Sequence, residues 1–391
     1  MALSGKWRLS SLIPYSRQSV DEDDIKEVLA VLRSDYLTQG PKSGEFEAAL
    51  AKYCDAKYAV VFSSGTAALH GAYFAAGIGP GDEIITSPIT FAATANAALY
   101  LGAKPVFTDI EPETGNIDPE LIEKAITRGT KAIVPVDYAG NPAALNRIRE
   151  LAGKHGLIVI EDACHALGAS YKENKIGSLS EMTIFSFHPV KPITTGEGGA
   201  VVTNNRSFYE KLLAFRSHGI VKETAAFEGS SHGSWYYEMQ VLGYNYRLTD
   251  IQCALGLSQL KKLDTFIQRR QEIALSYNAA FHGNRWFDTP VVTESAQSSW
   301  HLYPIRLRDG SSGMKTEIFD KLRTAGLWVQ VHYLPVYLHP YYRNILGYRE
   351  GICPQAERFY ERELSIPIYQ GMSDADIETV KRTLFDVLGE F

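Results

Sequence analysis

Tyr58-Ala59-Val60-Val61-Phe62, Ser63-Ser64-Gly65-Thr66 and then Ala67 through Ala76 form the stretch on which the fold turns. The five apolar or β-branched residues read as a buried strand and the next four as a turn. The small residues after them read as a helix able to pack close to a sheet. From Lys57 onward the same alternation recurs, which predicts a mostly parallel sheet covered by helices.

Glu83 to Thr86 reads as the next strand, followed by Pro88 and a helix over roughly Thr90 to Leu101 that stops at Gly102. Lys131 to Val136 is another strand. After it Asn141 and Pro142 occupy N-cap and first-turn positions of a helix whose apolar face is Leu145, Ile148 and Leu151. Leu157 to Ile160 delivers Glu161-Asp162-Ala163 at its carboxyl end, where ligands bind in open α/β sheets. Thr183 to Phe187 and Ala200 to Thr203 flank a loop containing Lys191. A long helical region follows Leu248. The remainder, with strand-like His301 to Arg306 and Trp328 to His332 around a helix from Lys315 to Ala325, reads as a smaller α+β domain. The predicted division is 1–264 and 265–391.

The 391 residues carry 39 basic and 45 acidic side chains, a formal charge of −6, with no basic run beyond pairs such as Lys261-Lys262. That argues against a nucleic-acid partner. Cys54, Cys164, Cys253 and Cys353 lie far apart, which suits a reducing, cytoplasmic compartment. Met1 to Ser16 has Lys6 and Arg8 but too short an apolar stretch for a secretory signal, and no run of about 18 apolar residues suggests a membrane span.

No phosphate-binding Gly-x-x-x-x-Gly-Lys loop, dinucleotide fingerprint, His-Glu-x-x-His or Gly-x-Ser-x-Gly is present. What remains is a spaced set. The Ser63 to Thr66 turn offers N–H groups and hydroxyls at a helix start, where an anion is favoured, although such residues also serve as ordinary caps. Asp162 ends a buried strand, where a carboxylate needs a cation, donors or solvent. Lys191, between Pro189 and Pro192, can become a nucleophile if its pKa falls, although a lone loop lysine is ordinarily solvent-facing. Together the three supply an anion anchor, a carboxylate for a pyridinium nitrogen and an amine, as pyridoxal phosphate requires. A metal cluster of Asp162, Cys164, His165 and His188 lacks zinc-like spacing.

Across Ser186-Phe187-His188-Pro189-Val190-Lys191-Pro192-Ile193-Thr194-Thr195-Gly196-Glu197-Gly198-Gly199 the chain resembles the DegT/DnrJ family of nucleotide-sugar aminotransferases. The likeness continues through Leu37 to Gly40, Glu161 to Ala163, Phe215 to Gly219, Tyr244 to Leu248 and Val331 to Tyr333. Lys131 to Gly140, Pro189 to Thr195 and His301 to Ile305 are most similar to the branch serving pseudaminic acid biosynthesis. The resemblance implies the fold type I pyridoxal-phosphate architecture: a large domain with a mostly parallel seven-stranded sheet, plus the smaller α+β C-terminal domain.

By the same resemblance Lys191 carries the cofactor covalently, Asp162 pairs with its ring nitrogen and Phe91 stacks on the ring. Gly65, Thr66 and Ser186 bind its phosphate, His165 sits beside its hydroxyl, and Asn245 reaches the phosphate from the other subunit of a homodimer. Tyr15, Arg247 and His332 are candidates for anionic or sugar groups of the substrate, while an ordinary surface role suits each equally. Relatives with histidine at the lysine position dehydrate sugars, so Lys191 favours transamination. The implied partners are L-glutamate and a UDP-4-keto-6-deoxy sugar, namely UDP-2-acetamido-2,6-dideoxy-β-L-arabino-hexos-4-ulose, in a ping-pong cycle. Another keto sugar, or a catalytically inactive binding or regulatory protein on the same fold, are the competing readings.

Overall fold

A computed structural model describes residues 12–309 and 313–391 of the chain. Lys6 and Arg8 lie outside the described residues. Seven strands form the central sheet: β1 (Tyr58–Phe62), β2 (Glu83–Thr86), β3 (Lys104–Phe107), β4 (Thr130–Val134), β5 (Ile158–Asp162), β6 (Met182–Ser186) and β7 (Gly199–Thr203). Their order across the sheet is β1-β7-β6-β5-β4-β2-β3. All run in one direction except β7, which is antiparallel to both its neighbours. The amino end of β7 therefore lies at the same edge as the carboxyl ends of β1, β5 and β6, and three chain segments converge there.

Strand composition follows burial. The inner strands are almost wholly buried, as β-branched runs covered on both faces should be. On one face the helix Gly65–Ala75 buries most of its length against Val60, Phe62, Ile84 and Ile160. Its small residues permit that approach: a Cβ at Gly71 would stand 2.9 Å from the Phe62 ring. On the other face Phe46, Leu50, Ile148 and Leu151 pack against Val61, Ile133 and Val159. Each such side chain contributes about 2 kcal/mol by leaving water.

The helix Leu263–Phe281 adds Leu263 and Ile267 to that second cluster, and Ile273, Tyr277 and Phe281 to a separate C-terminal one. The latter is built on an antiparallel sheet of Phe287–Asp288, Tyr303–Leu307 and Glu363–Ile366, with the helices Lys315–Thr324 and Asp374–Leu388. Ile13–Pro14 pairs in parallel with Leu327–Trp328, and Ile368 donates its N–H to the Tyr15 carbonyl at 3.0 Å. These contacts carry Tyr15 to the mouth of the site.

Several elements depart from the sequence reading. The helix after β4 begins at Leu145 rather than at Asn141-Pro142. The Asn141 amide donates to Val291 O at 3.1 Å and accepts from Thr293 N at 3.0 Å, so its capping capacity is spent on a distant segment. The Phe91 helix is shorter than expected, Ala93–Tyr100, and Gly102 ends that region at a φ of 75°. Of Trp328 to His332 only Trp328 is strand, as the end of Leu327–Trp328, followed by one bridge between Gln330 and Ser365. Strand β3, absent from the sequence reading, is a sheet edge containing Pro105, a residue that weakens any strand signal.

Candidate active site

The strand ends open into a cavity of about 580 Å³ whose lining includes Ser63, Thr66, Asp162, Ser186, Lys191 and His332. The turn after β1 starts the helix at Gly65, with Ser64 as N-cap: its hydroxyl accepts from Ala67 N at 3.1 Å. This orients the first N–H groups and the helix dipole toward the cavity. Glycine at position 199 is required by close approach. A Cβ there would stand 2.6 Å from Gly65 N and from Ser64 C and O, so any side chain would push the turn off β7.

Asp162 is buried at the end of β5. Its Oδ2 accepts from the Thr94 hydroxyl at 2.6 Å and its Oδ1 from Cys164 N at 3.2 Å. Thr94 in turn contacts Thr90 Oγ1 at 2.7 Å. These donors hold the carboxylate rigidly, yet all are neutral, so the charge is left facing the cavity. Burial and Asp162 together push the Cys164 thiol well above its ordinary value, which keeps it protonated and unreactive.

Lys191 follows β6 in a loop tied to the N-terminal segment by the Ser16 hydroxyl, which donates to Val190 O at 3.0 Å. Burial lowers its pKa from 10.5 to about 8, partly offset by Cys164 and Asp162. Nζ lies 3.5 Å from His301 Nε2, and the His301 and His165 ring centroids are 4.4 Å apart. His165 Nε2 meets the Tyr333 hydroxyl at 3.1 Å. Burial first and the Lys191 charge second drive His165 and His301 well below the usual histidine range, and His332 down to about 3. The three rings are thus neutral around one amine.

Residues 18–385 match the model of the DegT/DnrJ/EryC1/StrS aminotransferase family. The chain belongs to that family. A Campylobacter jejuni relative, UDP-4-amino-4,6-dideoxy-N-acetyl-β-L-altrosamine transaminase, is 46% identical over 96% of this chain and 98% of its own. Among solved structures, Helicobacter pylori PseC, an aminotransferase involved in the biosynthesis of pseudoaminic acid, superposes with a TM-score of 0.91. The match covers 97% of this chain and 100% of that one at 39% identity. The PLP-form of the sugar aminotransferase Spr1654 from Streptococcus pneumoniae, itself named as putative, also gives 0.91, at 33% identity over 97% and 99% of the chains.

In this member of the aminotransferase family, nine of the eleven residues singled out from sequence line one cavity: Tyr15, Gly65, Thr66, Phe91, Asp162, His165, Ser186, Lys191 and His332. Asn245 and Arg247 do not. Asn245 bridges Ser217, and Arg247 lines a neighbouring cleft with Arg216 and Lys222. Tyr246 between them accepts from Ser63 N at 2.8 Å, so their segment lies directly behind the turn. Sequence reasoning missed Thr94 and His301. Thr94 stands three residues after Phe91, one helical turn on, which is a usable signal. His301 comes from the C-terminal part and carries none.

Proposed function

We propose that this aminotransferase moves the amino group of L-glutamate to C4 of UDP-2-acetamido-2,6-dideoxy-β-L-arabino-hexos-4-ulose, with pyridoxal phosphate as cofactor. The product is UDP-4-amino-4,6-dideoxy-N-acetyl-β-L-altrosamine, a precursor for pseudaminic acid. One observation carries the reading: a lysine of lowered pKa shares a cavity with a buried carboxylate whose hydrogen-bond donors are all neutral, in a chain 46% identical to a transaminase of that name.

The residues present fit the cofactor. Hydroxyls and free N–H groups at a helix start suit a phosphate, and Asp162, held by neutral donors alone, suits a cationic ring nitrogen. When bound, pyridoxal phosphate supplies a carbon that captures the donor amine and a ring that withdraws electrons from the bond being broken. Asp162 keeps a proton on the ring nitrogen. Ser63, Thr66 and Ser186 hold the phosphate, with Gly65 leaving room for it. Phe91 gives the ring an apolar face, and His165, neutral, hydrogen-bonds near the ring hydroxyl. Lys191 Nζ, its pKa lowered by burial, would take the proton from the donor's Cα and deliver it to the cofactor's aldehyde carbon across the intervening nitrogen. Tyr15 and His332 line the part of the cavity assigned to the sugar.

The reading extends to a homodimer in which Asn245 of a second copy completes the phosphate site and Arg247 meets an anionic group of the nucleotide. Supporting it, the segment before Asn245 exposes Trp235 at 76%, Met239 at 64% and Leu242 at 75%, and Phe91 at the cavity mouth is 64% exposed. Among the described residues no helix is long and apolar enough to cross a membrane. We place the enzyme in the cytoplasm, where its four free cysteines stay reduced.

The test is spectroscopic. Purified protein loaded with pyridoxal phosphate is given L-glutamate, and a parallel sample is reduced with borohydride and peptide-mapped. The visible band should shift with glutamate and the label should fall on Lys191; a label on another lysine, or no band, would refute the assignment.

A further inference from the structure

Behind His332 lies a chain of hydrogen bonds that no step above uses. Glu363 and Ser365 sit two apart on the strand Glu363–Ile366, so their side chains leave the same face, and both are fully buried. The Ser365 hydroxyl donates to Glu363 Oε1 at 2.5 Å, and the His332 N–H donates to Glu363 Oε2 at 2.8 Å. His332 Nδ1 lies 2.8 Å from Ser365 Oγ. The Tyr138 hydroxyl donates to the His332 carbonyl at 2.6 Å, and Gln330 and Ser365 exchange backbone bonds at 3.1 and 2.8 Å. His332 is therefore fixed at its N–H, its carbonyl and one ring nitrogen. Its other ring nitrogen, Nε2, has no partner among the described residues, and the side chain lines the cavity.

The donor inventory settles the direction of the chain. A serine hydroxyl has one proton. Burial raises the Glu363 pKa to about 7 against the pull of Ser365, Lys315 and the His332 N–H, so above that pH Glu363 is a carboxylate, an acceptor only, and takes the serine proton. Toward His332 the same oxygen can only accept. The ring is neutral, so its single N–H must be at Nδ1, and Nε2 is left as a bare lone pair. That is the less common tautomer of a free histidine, and it makes the cavity wall an acceptor at this point.

We infer that ionised Glu363 and Ser365 are positioning residues that lock His332 in the Nδ1–H tautomer, so that Nε2 accepts a hydrogen bond from a hydroxyl or amide N–H of the sugar. This rests on the function proposed above for the identity of the ligand, though not for the tautomer. A 4-keto sugar bearing a 2-acetamido group offers two such donors, the 3-hydroxyl and the amide N–H. Its carbonyl oxygens would meet a lone pair with no proton between. The wall thus favours sugars that present a donor here and disfavours those that present an acceptor.

Glu363→Gln reverses the chain. The glutamine amide keeps an oxygen for the His332 N–H but offers N–H to Ser365, which then donates to Nδ1 and moves the ring proton to Nε2. The experiment uses full-length cofactor-loaded enzyme with 15N-labelled histidine, the His332 signal being assigned by its absence in His332→Gln. Long-range proton–nitrogen spectra at about pH 8.5, where Glu363 is ionised, should show Nδ1–H in the wild type and Nε2–H in Glu363→Gln. The KM for the keto sugar should rise tenfold or more in the variant, with the KM for L-glutamate within twofold of wild type. Should Glu363→Gln fail to fold, Ser365→Ala carries the test: Nδ1 loses its partner, the ring samples both tautomers, and the sugar KM rises alone. An Nε2–H wild type overturns the inference, and so does a flipped tautomer with an unchanged sugar KM. Failure of the transaminase reading is distinguished by lost turnover with the tautomer spectra as expected.

Discussion

Lys191 should weaken the very fold that holds it. Its ammonium has a pKa of about 8 in the folded chain against 10.5 for the ordinary side chain, and burial is the main cause. A difference of 2.5 between those values corresponds to about 3 kcal/mol at about 1.4 kcal/mol per pH unit. The direction follows from proton counting. Below pH 8 both folded and unfolded chains carry the proton and the full cost is present. Between pH 8 and 10.5 the unfolded chain binds more protons than the folded one, so stability rises with pH, and above 10.5 the cost is gone. Cofactor-free Lys191→Met, of similar shape and no charge, should therefore be more stable than cofactor-free wild type by about 2 to 3 kcal/mol at pH 7. The gain should shrink toward zero by pH 10.5. Urea unfolding of both proteins at several pH values measures this, and other titrating groups cancel in the difference. A variant no more stable at pH 7, or a gain independent of pH, would refute the electrostatic reasoning. The variant should also have no aminotransferase activity, the cost being tied to the reactive amine.

Other perturbations report on the parts around it. Asp162→Asn keeps the size and the Thr94 contact but removes the charge, and the rate constant for amine transfer should fall by about 10² or more in steady-state assays. Thr94→Val deletes the 2.6 Å bond to Asp162 while preserving shape; about 1 to 2 kcal/mol of lost support should reduce kcat roughly tenfold with the melting temperature little changed. Gly199→Ala places a Cβ 2.6 Å from Gly65 N, and calorimetry should show about 1 to 3 kcal/mol of destabilisation together with weaker cofactor retention on dialysis.

The large sheet was legible because most of its strands, Tyr58–Phe62 at one edge included, are almost wholly buried. Tyr58–Phe62, Ile158–Asp162 and Met182–Ser186 needed no partner to declare themselves. The opposite edge and the C-terminal elements were less so: Pro105 masks β3, and Trp328 to His332 has strand composition but forms little ladder, its backbone serving instead to hold His332. Asn141 shows a different limit, since a residue with capping chemistry is equally able to bond a segment 150 positions away. Within the site, groups borne by the chain at strand ends were found from sequence, whereas Thr94 and His301 act through contacts that only folding makes. Glu363 and Ser365 are invisible for the same reason: their neighbour His332 is more than 30 positions away.

The central claim is the transfer of an amine to C4 of one keto sugar. Its most direct measurement incubates the loaded enzyme with 15N-L-glutamate and either UDP-2-acetamido-2,6-dideoxy-β-L-arabino-hexos-4-ulose or its D-configured counterpart, and reads the product by NMR. The account predicts 15N at C4 of a UDP-4-amino-4,6-dideoxy-N-acetyl-β-L-altrosamine, formed in preference from the L-configured sugar and abolished by Lys191→Ala. Exclusive use of the D-configured sugar, or label transfer that survives Lys191→Ala, would contradict it.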